Sequence, residues 1–150
     1  MTKRSKFSPK AFESNSKFLP IISGYTQKDT SANIYNSMLL SPAFQDLTAT
    51  GMRLYLYMKA RYYTEKKTDA LITEYEKLTN QNINKSIRFT FNKSVWHDLY
   101  HIYPNTADGR FQKDLNSLIE HGFIVKIQSG KLTKSKSIYE FSDKWVNWKK

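Results

Sequence analysis

The apolar residues in the first half of the chain predict one long amphipathic helix. Small and apolar residues recur three or four positions apart, at Gly51, Leu54, Tyr55, Met58 and Tyr62. This spacing places them on one face of a helix. Because Thr48 is a residue type that caps helix N-termini, the helix is predicted over Thr48–Tyr63.

The segments on either side of this helix have weaker patterns. Ile34–Leu40 is predicted as a short strand that ends at Ser41 and Pro42, because proline lacks the amide donor. Residues 1–33 are basic and have no sustained apolar period, which indicates a flexible N-terminal arm. Thr64–Ser86 carries charges of both signs and a weaker helical period, so it is predicted to be an insertion with helical character.

The second half of the chain begins with a strand and a helix. Ile87–Phe91 alternates apolar and polar residues, as a half-buried strand does. A helix around Trp96–His101 is predicted next, with Asn92 or Ser94 as its cap. Its predicted buried positions are Val95 or Trp96, Leu99, and Ile102 or Tyr103.

A helix of about four turns is predicted over Asn105–His121. Asn105 is a favourable N-cap with Asp108 three residues later, and Gly122 is a favourable C-terminal stop. The apolar face carries Phe111, Leu115, Leu118 and Ile119. The side chains that project elsewhere are of types that contact base edges and phosphates in a DNA major groove. They are Arg110, Gln112, Lys113 and Asn116.

Two alternating segments and a basic loop follow this helix. Phe123–Gln128 and Ile138–Phe141 are predicted strands. Ser129–Ser137 joins them as a hairpin loop that contains lysines and no acidic residue. Because the short turn Tyr103–Asn105 joins two helices ahead of this basic hairpin, the whole region is a candidate helix-turn-helix with a wing.

These segments resemble winged helix-turn-helix DNA-binding proteins. Leu118–Ile124 is similar to the family's L-x-x-x-G-F/L-I junction between recognition helix and wing, and Ile138–Trp145 and Ser41–Phe44 also match. More loosely, the chain resembles small members of this family that plasmids and conjugative elements of low-GC bacteria encode. The likeness covers Ser41–Trp145, although the insertion and a turn without glycine depart from a minimal winged helix.

The resemblance implies an α+β, mainly helical fold of the winged helix-turn-helix type, to which the residue pattern adds a helical insertion and a basic N-terminal arm. The arm spans 1–33 and the domain 34–150, with the insertion at 64–86 and the wing at 123–142. The resemblance also implies DNA contacts by the recognition helix, its preceding turn and the wing. The predicted contact residues are Asn105, Thr106, Arg110, Gln112, Lys113, Asn116, Lys126, Lys131, Lys134 and Lys136.

Side-chain chemistry and overall charge agree with a DNA partner. Arginine bridges two acceptors of guanine, glutamine and asparagine pair with adenine, and lysine neutralises phosphates. The formal net charge is +11, from 24 Lys and Arg against 13 Asp and Glu, which indicates a polyanionic partner.

Other features of the composition concern the cellular location. The sequence has no cysteine, which excludes disulfides and thiol nucleophiles and is compatible with a reducing cytoplasm. No run of about eighteen apolar residues occurs, and Met1–Arg4 is followed by polar residues instead of the apolar core of a signal peptide. A cytoplasmic protein with no membrane partner is expected.

One short motif raises the alternative of a zinc hydrolase. His97, Asp98 and His101 follow the spacing of the H-E-x-x-H zinc signature, with aspartate in place of glutamate. A zinc site needs a third ligand, and the remaining histidine, His121, lies at the far end of the next helix. The acidic residues form no evident pair for acid–base catalysis, so no enzymatic activity, metal or cofactor is expected.

The sequence therefore predicts a sequence-specific double-stranded DNA-binding protein that acts as a transcriptional regulator. An accessory or initiator protein at a plasmid transfer or replication origin stays open, as does a winged-helix protein-interaction module. A homodimer and a partner encoded by the same mobile element also stay open. Binding of single-stranded nucleic acid ranks lower, because the aromatic residues, which make up 15% of the chain, are most simply explained as core.

Overall fold

The described part of the chain combines helices with a three-stranded antiparallel sheet. The computed structural model describes residues 32–64, 74, 77–78, 88–130 and 136–150. All of them belong to the second of two units, which divide between Thr30 and Ser31. The prediction of an α+β fold is confirmed at this coarse level.

Six helices and three strands with defined bounds lie within these residues. The helices are α1 (Asn36–Leu39), α2 (Pro42–Asp46), α3 (Ala49–Thr64), a π-helix (Ser94–Leu99), α4 (Asp108–Glu120) and a 3-10 helix (Lys144–Asn147). The strands are β1 (Arg88–Thr90), β2 (Ile124–Gln128) and β3 (Ile138–Phe141). Residues 1–31 of the predicted arm and most of the predicted insertion lie outside the described residues.

The predicted strand over Ile34–Leu40 is wrong, because α1 forms there. A short apolar run does not by itself distinguish a strand from a helix. Ser41 begins a second helix instead of following a strand, since its Oγ accepts a hydrogen bond from the Phe44 N–H at 3.2 Å. Pro42 occupies the first helical position, where a missing N–H leaves no hydrogen bond unmade.

Helix α3 confirms the long helix predicted to begin after Thr48. The Thr48 Oγ1 accepts a hydrogen bond from the Gly51 N–H at 3.1 Å and so caps the N-terminus. Leu54, Tyr55 and Met58 of the predicted stripe are buried in the core. Through this face α3 packs against α4 and β1.

Strand β3 is the central strand of the sheet, with β1 and β2 antiparallel on its two sides. Phe89 of β1 pairs with Tyr139, and Ile124 of β2 pairs with Phe141. The three strands predicted in the second half of the chain are confirmed, each within the segment predicted for it. The register between β2 and β3 shifts between Lys126 and Gln128.

The helix predicted around Trp96–His101 forms as a π-helix. The Tyr100 N–H donates to the Val95 carbonyl oxygen at 3.0 Å, a step of five residues where an α-helix has four. His101 follows with a φ of 53°, a left-handed conformation in which the helix cannot continue. Tyr100 and His101 therefore lie beyond the helix that the sequence pattern assigned to them.

The side-chain caps predicted for the two helices in the second half of the chain do not form. The Ser94 hydroxyl donates to Asn92 Oδ1 at 2.8 Å, so these two side chains bond to each other and cap nothing. Asn105 lies in a turn, because the Ala107 N–H donates to the Pro104 carbonyl oxygen at 3.0 Å. Helix α4 consequently begins three residues later than predicted and has no side-chain cap.

The predicted stop at the end of α4 is confirmed. Gly122 has a φ of 82°, which glycine adopts at little cost. The Gly122 N–H donates to the Ile119 carbonyl oxygen at 3.1 Å, and the Phe123 N–H donates to that of Leu118 at 3.0 Å. These two bonds form a Schellman motif, which turns the chain from α4 into β2.

Aromatic rings fill much of the core. One cluster surrounds Phe111 of α4, whose ring stacks on Trp96 with centroids 5.3 Å apart; Phe91 and Tyr103 complete it. A second cluster joins the first helices to the sheet and contains Phe44, Tyr55, Phe89, Phe123, Tyr139, Phe141 and Trp145. The described aromatic residues thus serve mainly to pack the helices on the sheet.

The last residues of the chain pack on its own core. The Trp148 ring stacks on the His121 ring with centroids 4.7 Å apart. His121 Nε2 lies 2.9 Å from Asp46 Oδ2, and Lys150 Nζ donates to the other carboxylate oxygen at 2.8 Å. Asp46 therefore joins α2 to the end of α4 and to the C-terminal residues.

Substitution of Gly122 tests the turn between α4 and β2. A Cβ at this position would lie 2.6 Å from the Trp145 backbone nitrogen, and the left-handed φ disfavours any side chain. Gly122→Ala is expected to lower the free energy of unfolding by about 2–4 kcal/mol, as denaturant titration would measure. Gly109→Ala is the matched control, because its Cβ would meet no atom within 4 Å, and it should raise stability by up to about 1 kcal/mol. Equal effects of the two substitutions would contradict this account of the turn.

The Asp46 contacts predict a pH dependence of stability. Hydrogen bonds from Lys150 and His121 lower the pKa of Asp46 from its ordinary value of 3.8. Since the folded-state pKa is the lower one, the stabilisation is present above pH 3.8 and is lost as the pH falls through the folded-state value. The difference in melting temperature between wild type and Asp46→Asn should therefore shrink at acid pH. In a Lys150→Gln background, which lacks one donor to Asp46, this difference should depend less on pH. A difference that stays constant from neutral pH to below 3.8 would contradict the assignment.

Candidate nucleic-acid interface

The outward face of α4 carries the side chains that the sequence singled out for DNA. Arg110, Lys113 and Asn116 are exposed, and Gln112 is half-buried. The Gln112 Nε2 donates to Asn116 Oδ1 at 3.0 Å, one helical turn away, so the two amides form a pair on the surface. The opposite face is fixed in the core through Leu115 and other apolar residues.

The three carboxylates of α4 are paired, buried or at the end of the helix. Asp108 at the N-terminus lies 3.3 Å from Lys93 Nζ in an ion pair. Asp114 is buried, and Glu120 is at the C-terminal end of the helix. Between these ends the exposed charges of α4 are those of Arg110 and Lys113, so the face is positively charged.

Asp114 is a buried carboxylate with two hydroxyl donors. The Tyr103 hydroxyl donates to its Oδ2 at 2.5 Å, and the Thr50 hydroxyl donates to its Oδ1 at 3.1 Å. Burial, and then the hydrogen bond to Asp114, raise the pKa of Tyr103 well above its ordinary value of 10.0. Asp114 thus connects α4 to α3 and to the turn that precedes α4.

The sequence analysis assigned no role to Asp114, although its position along the helix could have indicated that it is buried. Asp114 lies three residues after Phe111 and four before Leu118, which places it among the positions of the apolar stripe. A carboxylate at such a position is buried and needs donors. The Thr50 donor, 64 positions earlier in the chain, could not be inferred from local pattern.

A cleft lies between the N-terminal turn of α3 and the first two turns of α4. Its volume is about 220 Å³, and its lining includes Arg53, Arg110, Lys113, Thr48, Thr50 and Asp114. The Arg53 Nη2 donates to the Ile102 carbonyl oxygen at 2.9 Å, which fixes the guanidinium beside the turn before α4. The sequence analysis placed Arg53 off the apolar stripe of α3 and did not connect it to the residues predicted to contact DNA.

The other predicted contact residues have varied surroundings. Asn105 and Thr106 are exposed in the turn before α4. Lys126 is half-buried on β2, opposite Tyr139 of β3, and Lys136 is exposed just before β3. Lys131 and Lys134, the remaining wing lysines, lie outside the described residues.

The histidine motif is arranged differently from a zinc-binding helix. His97 Nδ1 lies 3.0 Å from the Tyr103 carbonyl oxygen, so this ring is bonded to the turn before α4. His101, with its left-handed backbone, lies beyond the helix that holds His97. Within the described ranges, no three His, Asp or Glu side chains are grouped closely enough to hold a metal ion.

No helix among the described residues has the length and apolar character that spanning a bilayer requires.

Comparisons of the chain with protein-family models, with curated proteins and with solved structures give no match.

Removal of the Tyr103 hydroxyl tests the contact that fixes α4. Tyr103→Phe leaves Asp114 buried with one donor fewer, and the free energy of unfolding is expected to fall by about 1–3 kcal/mol. Tyr57→Phe is the control, because the Tyr57 ring is half-buried against Tyr100 and its hydroxyl bonds no described residue. It should cost less than about 0.5 kcal/mol.

A double-mutant cycle separates this contact from general packing. Tyr103→Phe and Asp114→Asn are combined, and the three variants are compared with wild type by denaturant titration. The coupling energy is expected at about 0.5–3 kcal/mol, because the two groups act through one hydrogen bond. Additive effects would mean that the Tyr103 hydroxyl does not stabilise α4 through Asp114.

Proposed function

We propose that the protein is a sequence-specific double-stranded DNA-binding protein of the winged helix-turn-helix type. The observation that carries this proposal is the outward face of α4, where Arg110, Lys113 and Asn116 are exposed on a helix whose other face is buried. A major groove admits an α-helix, and a helix held by its core-facing side presents such side chains to base edges and phosphates.

The order of the elements supports the winged-helix assignment. From α3 to β3, the chain runs helix, strand, helix, turn, helix and hairpin, which matches the winged helix-turn-helix order. The hairpin strand β3 also pairs with β1, so the proposed wing is built on the same sheet that packs behind α4. In this assignment α4 is the recognition helix, and the β2–β3 hairpin is the wing.

Charge supports the same partner. The chain has a formal net charge of +11, and the exposed charges in the middle of α4 are positive. Phosphate contacts of Lys and Arg supply affinity without sequence preference, whereas base contacts supply specificity. The amide pair of Gln112 and Asn116 offers the donors and acceptors that adenine matches in the major groove.

The cellular role within this proposal is transcriptional regulation in the cytoplasm. The alternative role, at a plasmid transfer or replication origin, uses the same DNA-binding face. The genomic position of the bound sequence distinguishes them, because a regulator binds at promoters and an origin protein binds at the origin.

Selection from a random-duplex library tests the proposal. The bound fraction should contain a defined motif, and its affinity should fall steeply with salt, because Lys and Arg release counterions from DNA. Asn116→Ala should weaken binding to the motif by about 1–3 kcal/mol and relax the preference at the base pair that it contacts.

The matched control is Lys149→Gln, which removes an exposed positive charge near the C-terminus. This variant should select the same motif as wild type. Uniformly weak binding with no motif would reject sequence-specific recognition and favour a nonspecific basic protein. No binding to any duplex would favour the protein-interaction module.

A further inference from the structure

The cleft between α3 and α4 brings together positive charges from two helices. Arg53 comes from α3, and Arg110 and Lys113 come from successive turns of α4. The N-terminal turn of α3 also lines the cleft, through Thr48 and Thr50. Because the N-terminus of a helix carries a partial positive charge, it adds to the field of the three cations.

The cations of the cleft keep donors available for a ligand. Arg110 and Lys113 form no hydrogen bond or ion pair with another residue in the described part of the chain. Arg53 uses Nη2 for the Ile102 carbonyl oxygen, but a guanidinium has five N–H donors in all. The cleft therefore offers donors from two helices to one occupant.

The one carboxylate that lines the cleft does not neutralise it. Each oxygen of Asp114 already accepts a hydrogen bond, one from Thr50 and one from Tyr103. Its single negative charge stands against three positive side chains. The balance favours an anion, and Arg and Lys donors suit the oxygens of a phosphate group.

We propose that this cleft holds one phosphate of the DNA backbone, bound jointly by Arg53, Arg110 and Lys113. The inference rests on the proposed DNA binding and adds to it a separate phosphate site. It assigns Arg110 to the backbone instead of to guanine, and it leaves Gln112 and Asn116 as the base-contacting residues of α4. A phosphate held on both sides by α3 and α4 fixes the position of the recognition helix along the groove.

Charge-removing variants test whether the three cations share one phosphate. Arg110→Gln, Lys113→Gln and the triple variant with Arg53→Gln are titrated with the selected duplex and with a scrambled duplex across salt concentrations. For each single variant, affinity for the selected duplex and affinity for the scrambled duplex should fall by the same factor. The salt slope of the triple variant should fall by about 0.9 in total, the value for one phosphate.

Separate phosphates would give a different result. If each cation contacted its own phosphate, the three losses would add, and the salt slope would fall by about three times as much. Lys149→Gln is the matched control and should leave the salt slope unchanged. Circular dichroism and thermal melting check that the Arg53 variant folds, because Arg53 also bonds the turn before α4.

Neutral phosphate substitution identifies the partner group on the DNA. Each phosphate of the selected duplex is replaced in turn by an uncharged methylphosphonate. Replacement of the shared phosphate should weaken wild-type binding and leave binding of the triple variant unaffected. Additive losses, or identical sensitivity of wild type and triple variant at every position, would overturn the shared phosphate while leaving DNA binding intact. Failure of wild type to bind any duplex would instead overturn the proposed function.

Discussion

The orientation of α4 depends on the hydrogen bonds that the buried Asp114 carboxylate accepts. A charged group removed from water is unfavourable unless donors surround it, and here Thr50 and Tyr103 supply them. The two donors come from different elements, so the carboxylate is satisfied only when α3, the preceding turn and α4 are all in place. These two hydrogen bonds therefore help to fix the direction in which the outward face of α4 points.

Aromatic packing supplies the second constraint on this helix. Phe111 stacks on Trp96 of the π-helix, while Phe123, just beyond α4, lies against Tyr55 and Trp145. The two ends of α4 are thus anchored in different parts of the core. The middle of the helix is left to present polar and positive side chains without a structural role of their own, which suits a surface that binds an extended polyanion.

The parts of the fold that were predicted correctly from the sequence are those specified by residues close together in the chain. The Thr48 cap, the Gly122 stop and the three strands each follow from a few neighbouring residues. The Asn105 cap failed because the Pro104 carbonyl closes a turn there, and the π-helix has no pattern that separates it from an α-helix. The cleft was not predictable, since it depends on the approach of two helices that are distant in the sequence.

The π-helix has a consequence for how this chain tolerates change in length. A π-helical turn accommodates one residue more than an α-helical turn, and each residue of an α-helix rotates the chain by about 100°. Loss of one residue between Val95 and Tyr100 would replace the five-residue hydrogen bond by an ordinary four-residue one within the same turn. The residues before and after this turn would keep their directions, whereas a deletion within α3 or α4 would rotate the residues that follow by that angle. Homologous sequences that keep the position of α4 should therefore tolerate the loss of one residue here more readily than in α3 or α4.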